Sequence, residues 1–236
     1  MDFVNSNGQI VPVEIRRRKN TRHLKLTLGY QNQIVASVPW YTSEGGLRKF
    51  IEKQRFWLDT QLSKAPHVYT LTEWLSLYPN ITASGDFLEV RIEVAGGCNA
   101  NYTFDQGGAV LVLRLPEVDE VSLVQLLRRF AKDALTCRVA YHAKRFGLIY
   151  SALSVRDQSS RWGSCSASRG ISLNWRLVLL RPELQDYIIL HELAHLTEMN
   201  HGKAFWTLLN RYDPDRKRHE AAIDKVSAGL MRVARL

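Results

Sequence analysis

Residues 188–201 read IILHELAHLTEMNH, in which two histidines stand four residues apart with a glutamate directly after the first. On a helix His191 and His195 lie about 40° apart around the axis and one turn apart along it, so both imidazoles can meet one ion. Glu192 stands about 100° from His191, near enough to take a proton from a water at that ion without binding it. Zinc suits such a pair because it accepts neutral nitrogen ligands and, in catalytic sites, takes three protein ligands and keeps one position for water. The chemistry implied is hydrolysis: the ion lowers the water's pKa and polarises the substrate oxygen, and the carboxylate moves the proton to the leaving group.

Three residues compete for the third ligand position. His201 follows His195 by six, after Asn200 and before Gly202, so a helix ending near Asn200 lets the chain turn back to the ion. Glu198 shares the helical face of both histidines, and Glu220 lies in a downstream helix, as the distant glutamate of some zincins does. The preference of zinc for imidazole and the short loop favour His201. The spacing equals that of metzincins, but Glu198 occupies the place of their glycine and no Met-turn is recognisable, which disfavours that assignment.

The motif needs a rigid helix, and the sequence supplies its signals. Pro182 sits where a first helical turn tolerates proline, Glu183 and Asp186 put negative charge near that end, and Ile188, Ile189, Leu190, Leu193 and Ala194 offer a packing surface. Upstream, Leu123, Leu127, Phe130, Ala134, Cys137 and Tyr141 recur at helical spacing and predict a long amphipathic helix from Glu120 to about Phe146. Between these helices lie a strand at 153–156, a turn-rich piece SSRWGSCSASRG and a strand ISLNWRLVLL. Phe205 and Trp206, one turn after His201, read as core residues packing a closing helix onto the motif helix.

The combination RWGSC (161–165), ISLNWRLVL (171–179), YIILHELAHL (187–196) and NHGKAFW (200–206) resembles the YgjP-like family of zinc metallopeptidases and hydrolases. A weaker likeness extends to RRKNTRHLKLTL and KFIEKQRFWL near the N-terminus, and residues 66–118 match no pattern. The resemblance implies an α+β chain with a zincin-like catalytic unit: a long helix, a small sheet, the HExxH helix and a closing helix. It also implies one zinc on His191, His195 and His201, with Glu192 catalytic. SprT-like proteases, which act near DNA, are similar in general layout.

In RWGSC, a strand bordering the cleft can align an extended substrate by main-chain pairing, with a Trp-Gly-Ser turn beside it offering a stacking face and backbone donors. Trp162, Gly163 and Ser164 are therefore candidate substrate contacts, and the competing reading is a structural turn with Trp162 in the core. Arg161 and Arg176 are candidate oxyanion or phosphate contacts; each can equally be a solvated strand flank.

Residues 1–118 read as a β-rich region with one helix, and 119–236 as the metal-hydrolase domain. QIVPVEIRR, HLKLTL and QIVASVP predict three strands, and one helix after Ser43 buries Leu47, Phe50, Ile51, Trp57, Leu58 and Leu62, giving a hairpin plus a packed helix. ITASGDFLEVRIEV and GGAVLVLRL predict further strands around a turn at 96–101. The basic cluster Arg16, Arg17, Arg18, Lys19, Arg22 and Lys25 reads as the solvated face of a hairpin.

The chain has 236 residues, 45% of them hydrophobic and 23% charged, a balance that excludes a disordered chain. No signal-peptide pattern and no bilayer-length apolar run is present, which predicts a cytoplasmic protein without membrane contact. Cys98, Cys137 and Cys165 form no C-x-x-C pair, so a disulfide framework and a thiolate zinc site are not indicated. The net charge of +9 favours phosphates, acidic proteins or anionic small molecules as partners, although no groove-reading motif accompanies it.

The leading expectation is a zinc metallopeptidase acting on extended or unfolded protein or peptide segments. A nucleoside triphosphate pyrophosphatase, using the same water and base on a nucleotide, is the alternative. A nucleic-acid-associated zinc module is the third reading; Glu192 argues against it, because a structural zinc has no use for a base beside an open position.

Overall fold

The computed structural model describes residues 1–97, 99–105 and 107–235. The turn expected at 96–101 therefore falls partly, and Cys98 wholly, outside the described residues. The fold is α+β, as expected. It divides into two compact units, Met1–Val68 and Tyr69–Ala234, each with its own apolar core.

The first unit is a four-stranded sheet with two helices. Strands β1 (Asp2–Val4), β2 (Ile10–Arg18), β3 (Lys25–Leu28) and β4 (Ile34–Pro39) are ordered β1-β2-β4-β3. The three strands expected here are β2, β3 and β4, but β2 and β3 do not form a hairpin: β4 lies between them, parallel to β2 and antiparallel to β3. The expected single helix is two, α1 (Glu44–Lys53), capped by the Ser43 side chain on the Gly46 amide, and α2 (Arg55–Lys64). The break falls at Gln54, whose φ of −98° and ψ of 10° leave the helical region. Leu47, Ile51 and Leu58 still reach the core, but Trp57 is exposed because the break rotates α2 out of the register of α1.

The second unit begins at Tyr69, so the units divide at Val68/Tyr69 and not at 118/119. The physical reason is a shared core: the strands expected before 118 pack on the long helix that follows them. Helix α3 (Leu71–Leu77), absent from the sequence reading, is closed by a capping box between Thr70 and Glu73. A sheet of β5 (Asn80–Ala83), β6 (Asp86–Val94), β7 (Asn101–Phe104) and β8 (Val110–Leu115) follows in the order β5-β6-β8-β7. Its Ile81, Leu111, Leu113 and Leu115 join Leu123, Leu127 and Phe130 of α4 (Glu120–Phe146) in one cluster. Helix α4 starts on an Asp119 cap and ends at Gly147 with φ +65°, a left-handed position that glycine adopts without a Cβ penalty.

The first half of α4 buries the expected stripe. In its second half the buried face is Leu135, Val139, His142 and Ala143, while Cys137 and Tyr141 face solvent. After α4 come β9 (Ala152–Arg156), β10 (Gly163–Cys165) and β11 (Gly170–Asn174), a small sheet ordered β10-β11-β9. The expected strand over ISLNWRLVLL ends at Asn174 and continues as a 3-10 turn over Trp175–Leu179, whose start the Asn174 side chain caps. Helices α5 (Pro182–Ala194), α6 (Lys203–Tyr212) and α7 (Arg216–Leu230) complete the unit. Among the described residues, no helix is long and apolar enough to cross a membrane.

Candidate metal centre

Helix α5 opens with Pro182 in its first turn and is buried on most sides, which fixes its rotation about its axis. Arg138 of α4 reaches both carboxylate oxygens of Asp186, one of them at 2.7 Å, and His142 Nε2 lies 3.0 Å from Asp186 Oδ1. Burial pushes the Asp186 carboxyl up, but the hydrogen bonds and charges of Arg138 and His142 outweigh it and hold the group below the usual carboxylate range. This cross-link sets α5 against α4 one turn before the motif.

The α-helix ends at Ala194, earlier than the expected end near Asn200, and His195 serves as its C-cap. The early end leaves residues 196–201 to fold back and bring His201 to the other two histidines. His191 Nε2 and His201 Nε2 are 3.0 Å apart, and one nitrogen from each of His191, His195 and His201 falls within a 4.8 Å span. The Nδ1 of His195 lies 3.0 Å from the Glu198 carbonyl oxygen, which can only accept, so the proton sits on Nδ1 and the lone pair on Nε2. Glu198 thus enters through its main chain, and the carboxylate of Glu220 lies 3.6 Å from Arg216 on α7.

Aromatic rings fix the imidazoles from outside. Phe205 of α6, fully buried, stacks on His195 with ring centroids 4.6 Å apart. Trp206 stacks on His201 at 5.5 Å and carries the Arg216 guanidinium 4.7 Å over its own ring. Phe205 and Trp206 therefore act as packing residues, as the sequence suggested. The support layer that the sequence reading missed is Tyr187, packed between His191 and His219, with His219 Nδ1 2.7 Å from Asp213 Oδ2. Its only signal was the spacing of Tyr187 one turn before His191.

The donor set fits a zinc-type ion: three nitrogen ligands, with no thiolate and no carboxylate among them. Burial, then the neighbouring His195 and His201, push His191 down to about 4. Burial, with His201 adding to it against the bonds from the 198–199 main chain, also lowers His195. Both rings are neutral at pH 7, the form that offers a lone pair to a metal.

Glu192 is 7% exposed and lies against β10. A Cβ built on Gly163 falls 2.7 Å from Glu192 Cγ and 2.8 Å from its Oε1, so only glycine leaves room for this carboxylate. Burial pushes the Glu192 carboxyl up to about 8, opposed by the charge of Arg161. A cation beside it pulls in the same direction as Arg161 and favours the ionised base.

The other RWGSC positions divide. Arg161 is exposed and near enough to act on Glu192. Trp162 is buried, its Nε1 donating to Ser227 Oγ at 2.8 Å, so the expected stacking face is absent and the structural reading of this side chain holds. Ser164 alternates to the sheet face opposite Gly163, where it lines a cavity with Ser154, Gln158 and Ser172. Arg176, expected as an oxyanion or phosphate contact or a solvated strand flank, is instead fully buried: it pairs with Asp157 at 2.5 Å and donates from Nε to the Val233 carbonyl at 2.7 Å, so its guanidinium is engaged in holding the C-terminal segment.

No curated protein matches this sequence. The crystal structure of the metallopeptidase zymogen of Pyrococcus abyssi abylysin aligns with 39% of this chain and 93% of its own, at 22% identity and a TM-score of 0.34. The model of the YgjP-like metallopeptidase domain matches residues 22–225, which include every residue of the three-histidine cluster and Glu192. The chain therefore belongs to the YgjP-like family, whose domain is a metal-dependent peptidase.

Proposed function

We propose that this protein is a zinc metallopeptidase that cleaves extended or unfolded polypeptide, with His191, His195 and His201 as ligands and Glu192 as general base. The observation that carries the reading is the buried Glu192 carboxylate lodged against Gly163 beside three convergent imidazoles. A zinc ion held there supplies Lewis acidity and a water acidified toward neutral pH. Glu192 takes the proton from the attacking water and carries it to the leaving amide nitrogen. The charge of Arg161 works against the rise that burial causes, and a cation held by the three imidazoles would add to it in favouring the ionised carboxylate.

Strand β10 is an edge of its sheet, and its Gly163 touches the base, so an extended chain adding to that edge lies with its main chain beside Glu192. Main-chain pairing reads no particular side chain, which supports a preference for unfolded segments over one sequence. The test is a substrate panel with matched zinc loading: a reduced, unfolded protein against nucleoside triphosphates, with and without a chelator. Zinc-restored cleavage of the polypeptide is expected. Turnover of triphosphates alone would replace the peptidase by a pyrophosphatase.

A further inference from the structure

Residues 15–43 contain six cationic side chains, Arg16, Arg17, Arg18, Lys19, Arg22 and Lys25, and no Asp or Glu. The sheet topology gathers them. Because β2 and β4 run parallel with Arg18 opposite Pro39, both strands finish at the same end of the sheet. Strand β3 runs antiparallel with Lys25 opposite Ser37, so it starts at that end. Arg16, Ser37 and Lys25 therefore form one row across three strands, and Arg18, Lys19 and Arg22 extend beyond it. These five cations are exposed, and Glu14, bonded to Arg16 at 2.6 Å, is the acid that pairs with one of them.

The sixth cation has a different role. Arg17 alternates to the other face and donates from Nη1 to the carbonyls of Trp40 at 3.2 Å and Thr42 at 2.6 Å. It thereby fixes the turn that leaves β4. That turn presents Trp40 and Tyr41, 63% and 66% exposed, with their rings edge to face at 5.9 Å. Two large aromatic faces held in water, at the end of the sheet where five cations gather, contribute nothing to the core of the unit.

We propose that this end of the sheet binds single-stranded nucleic acid, with phosphates on Arg16, Arg18, Lys19, Arg22 and Lys25 and bases stacked on Trp40 and Tyr41. Cations that follow a backbone and aromatic faces that accept unpaired bases are the two components of sequence-tolerant single-strand binding. A duplex hides its base faces, which leaves exposed aromatic rings nothing to stack on. An anionic membrane surface would draw on the same cations and aromatics, and binding of vesicles in place of oligonucleotide is the outcome that would assign this end to it. The binding is non-covalent and independent of the metal centre.

The test uses the full chain and a fluorescent oligothymidylate of about 20 nucleotides, longer than the footprint of a compact single-strand-binding fold. Anisotropy titrations are run at rising salt, beside a duplex of equal length and anionic vesicles. Binding at low salt should weaken steeply as salt rises, by a slope of about 0.7 per phosphate engaged. Trp40→Ala should weaken it about tenfold or more, with Trp40→Phe within a few-fold of wild type, because the phenyl ring keeps a stacking face. Arg18→Glu with Lys19→Glu should lower both affinity and salt slope, while Lys132→Glu on α4 leaves both unchanged. Circular dichroism on each variant establishes that it is folded. Absence of binding at low salt, equal binding of duplex and single strand, vesicle binding without oligonucleotide binding, or unchanged affinity in folded Trp40→Ala would each overturn the proposal.

Discussion

Glycine at 163 and glutamate at 192 are one device. A Cβ on Gly163 would fall 2.7 Å from Glu192 Cγ and 2.8 Å from its Oε1, so the carboxylate keeps its present place only while position 163 carries no side chain. Gly163→Ala should push the carboxylate aside while leaving the three imidazoles in place. Displacement of a reacting group by about 1 Å can cost about 100-fold in rate, so we expect a loss of that order with unchanged zinc content. Metal analysis with steady-state kinetics checks it, and wild-type activity in this variant would show that the contact is incidental. The third ligand tests separately: His201→Ala should weaken zinc binding far more than Glu198→Ala, since Glu198 meets His195 through its main-chain carbonyl. Equilibrium dialysis with zinc reads the difference, and the reverse order would move the third ligand to the carboxylate.

Helices α4 and α5 were legible in the sequence because their information is local: apolar residues at a period near 3.6 in the first half of α4, and a proline in a first turn before an apolar run in α5. The parallel pairing of β2 with β4 was not legible, because nothing in two short apolar runs states which edge the other takes. Strands β1 and β10 have three residues each and helix α3 has seven, too few for periodicity to separate them from turns. At the site, the candidate ligands His191 and His195 were legible from spacing, and the structure brings His201 to them, whereas the burial of Arg176 and Trp162 depends on the C-terminal segment folding over them. The α4–α5 cross-link carries a prediction of its own. Asp186 is held below its unfolded value, so its contribution to stability is present above the ordinary carboxylate range and is lost as pH falls through the lowered folded value. Asp186→Asn should cost about 3 kcal/mol near neutral pH, as for breaking a largely buried ion pair, and the gap to wild type should close in acid. Denaturant melts across pH measure it; a gap that widens toward low pH would contradict the assignment.

At the scale of the molecule, the chain joins a small basic sheet unit to a larger unit whose one core is shared by a sheet, the long α4 and the motif helix. The candidate metal centre lies in the larger unit, where α5, the fold-back after His195, α6 and β10 each bring part of it. The most direct test of that centre is Glu192→Gln compared with wild type on an unfolded protein substrate, with zinc measured in the same samples. The variant should retain about one zinc per chain, as a three-ligand site requires, and lose about 100-fold or more of its hydrolytic rate, as removal of a general base requires. Equal rates at equal zinc would contradict the proposed role of Glu192, and loss of zinc from the variant would make that residue a ligand instead of a base.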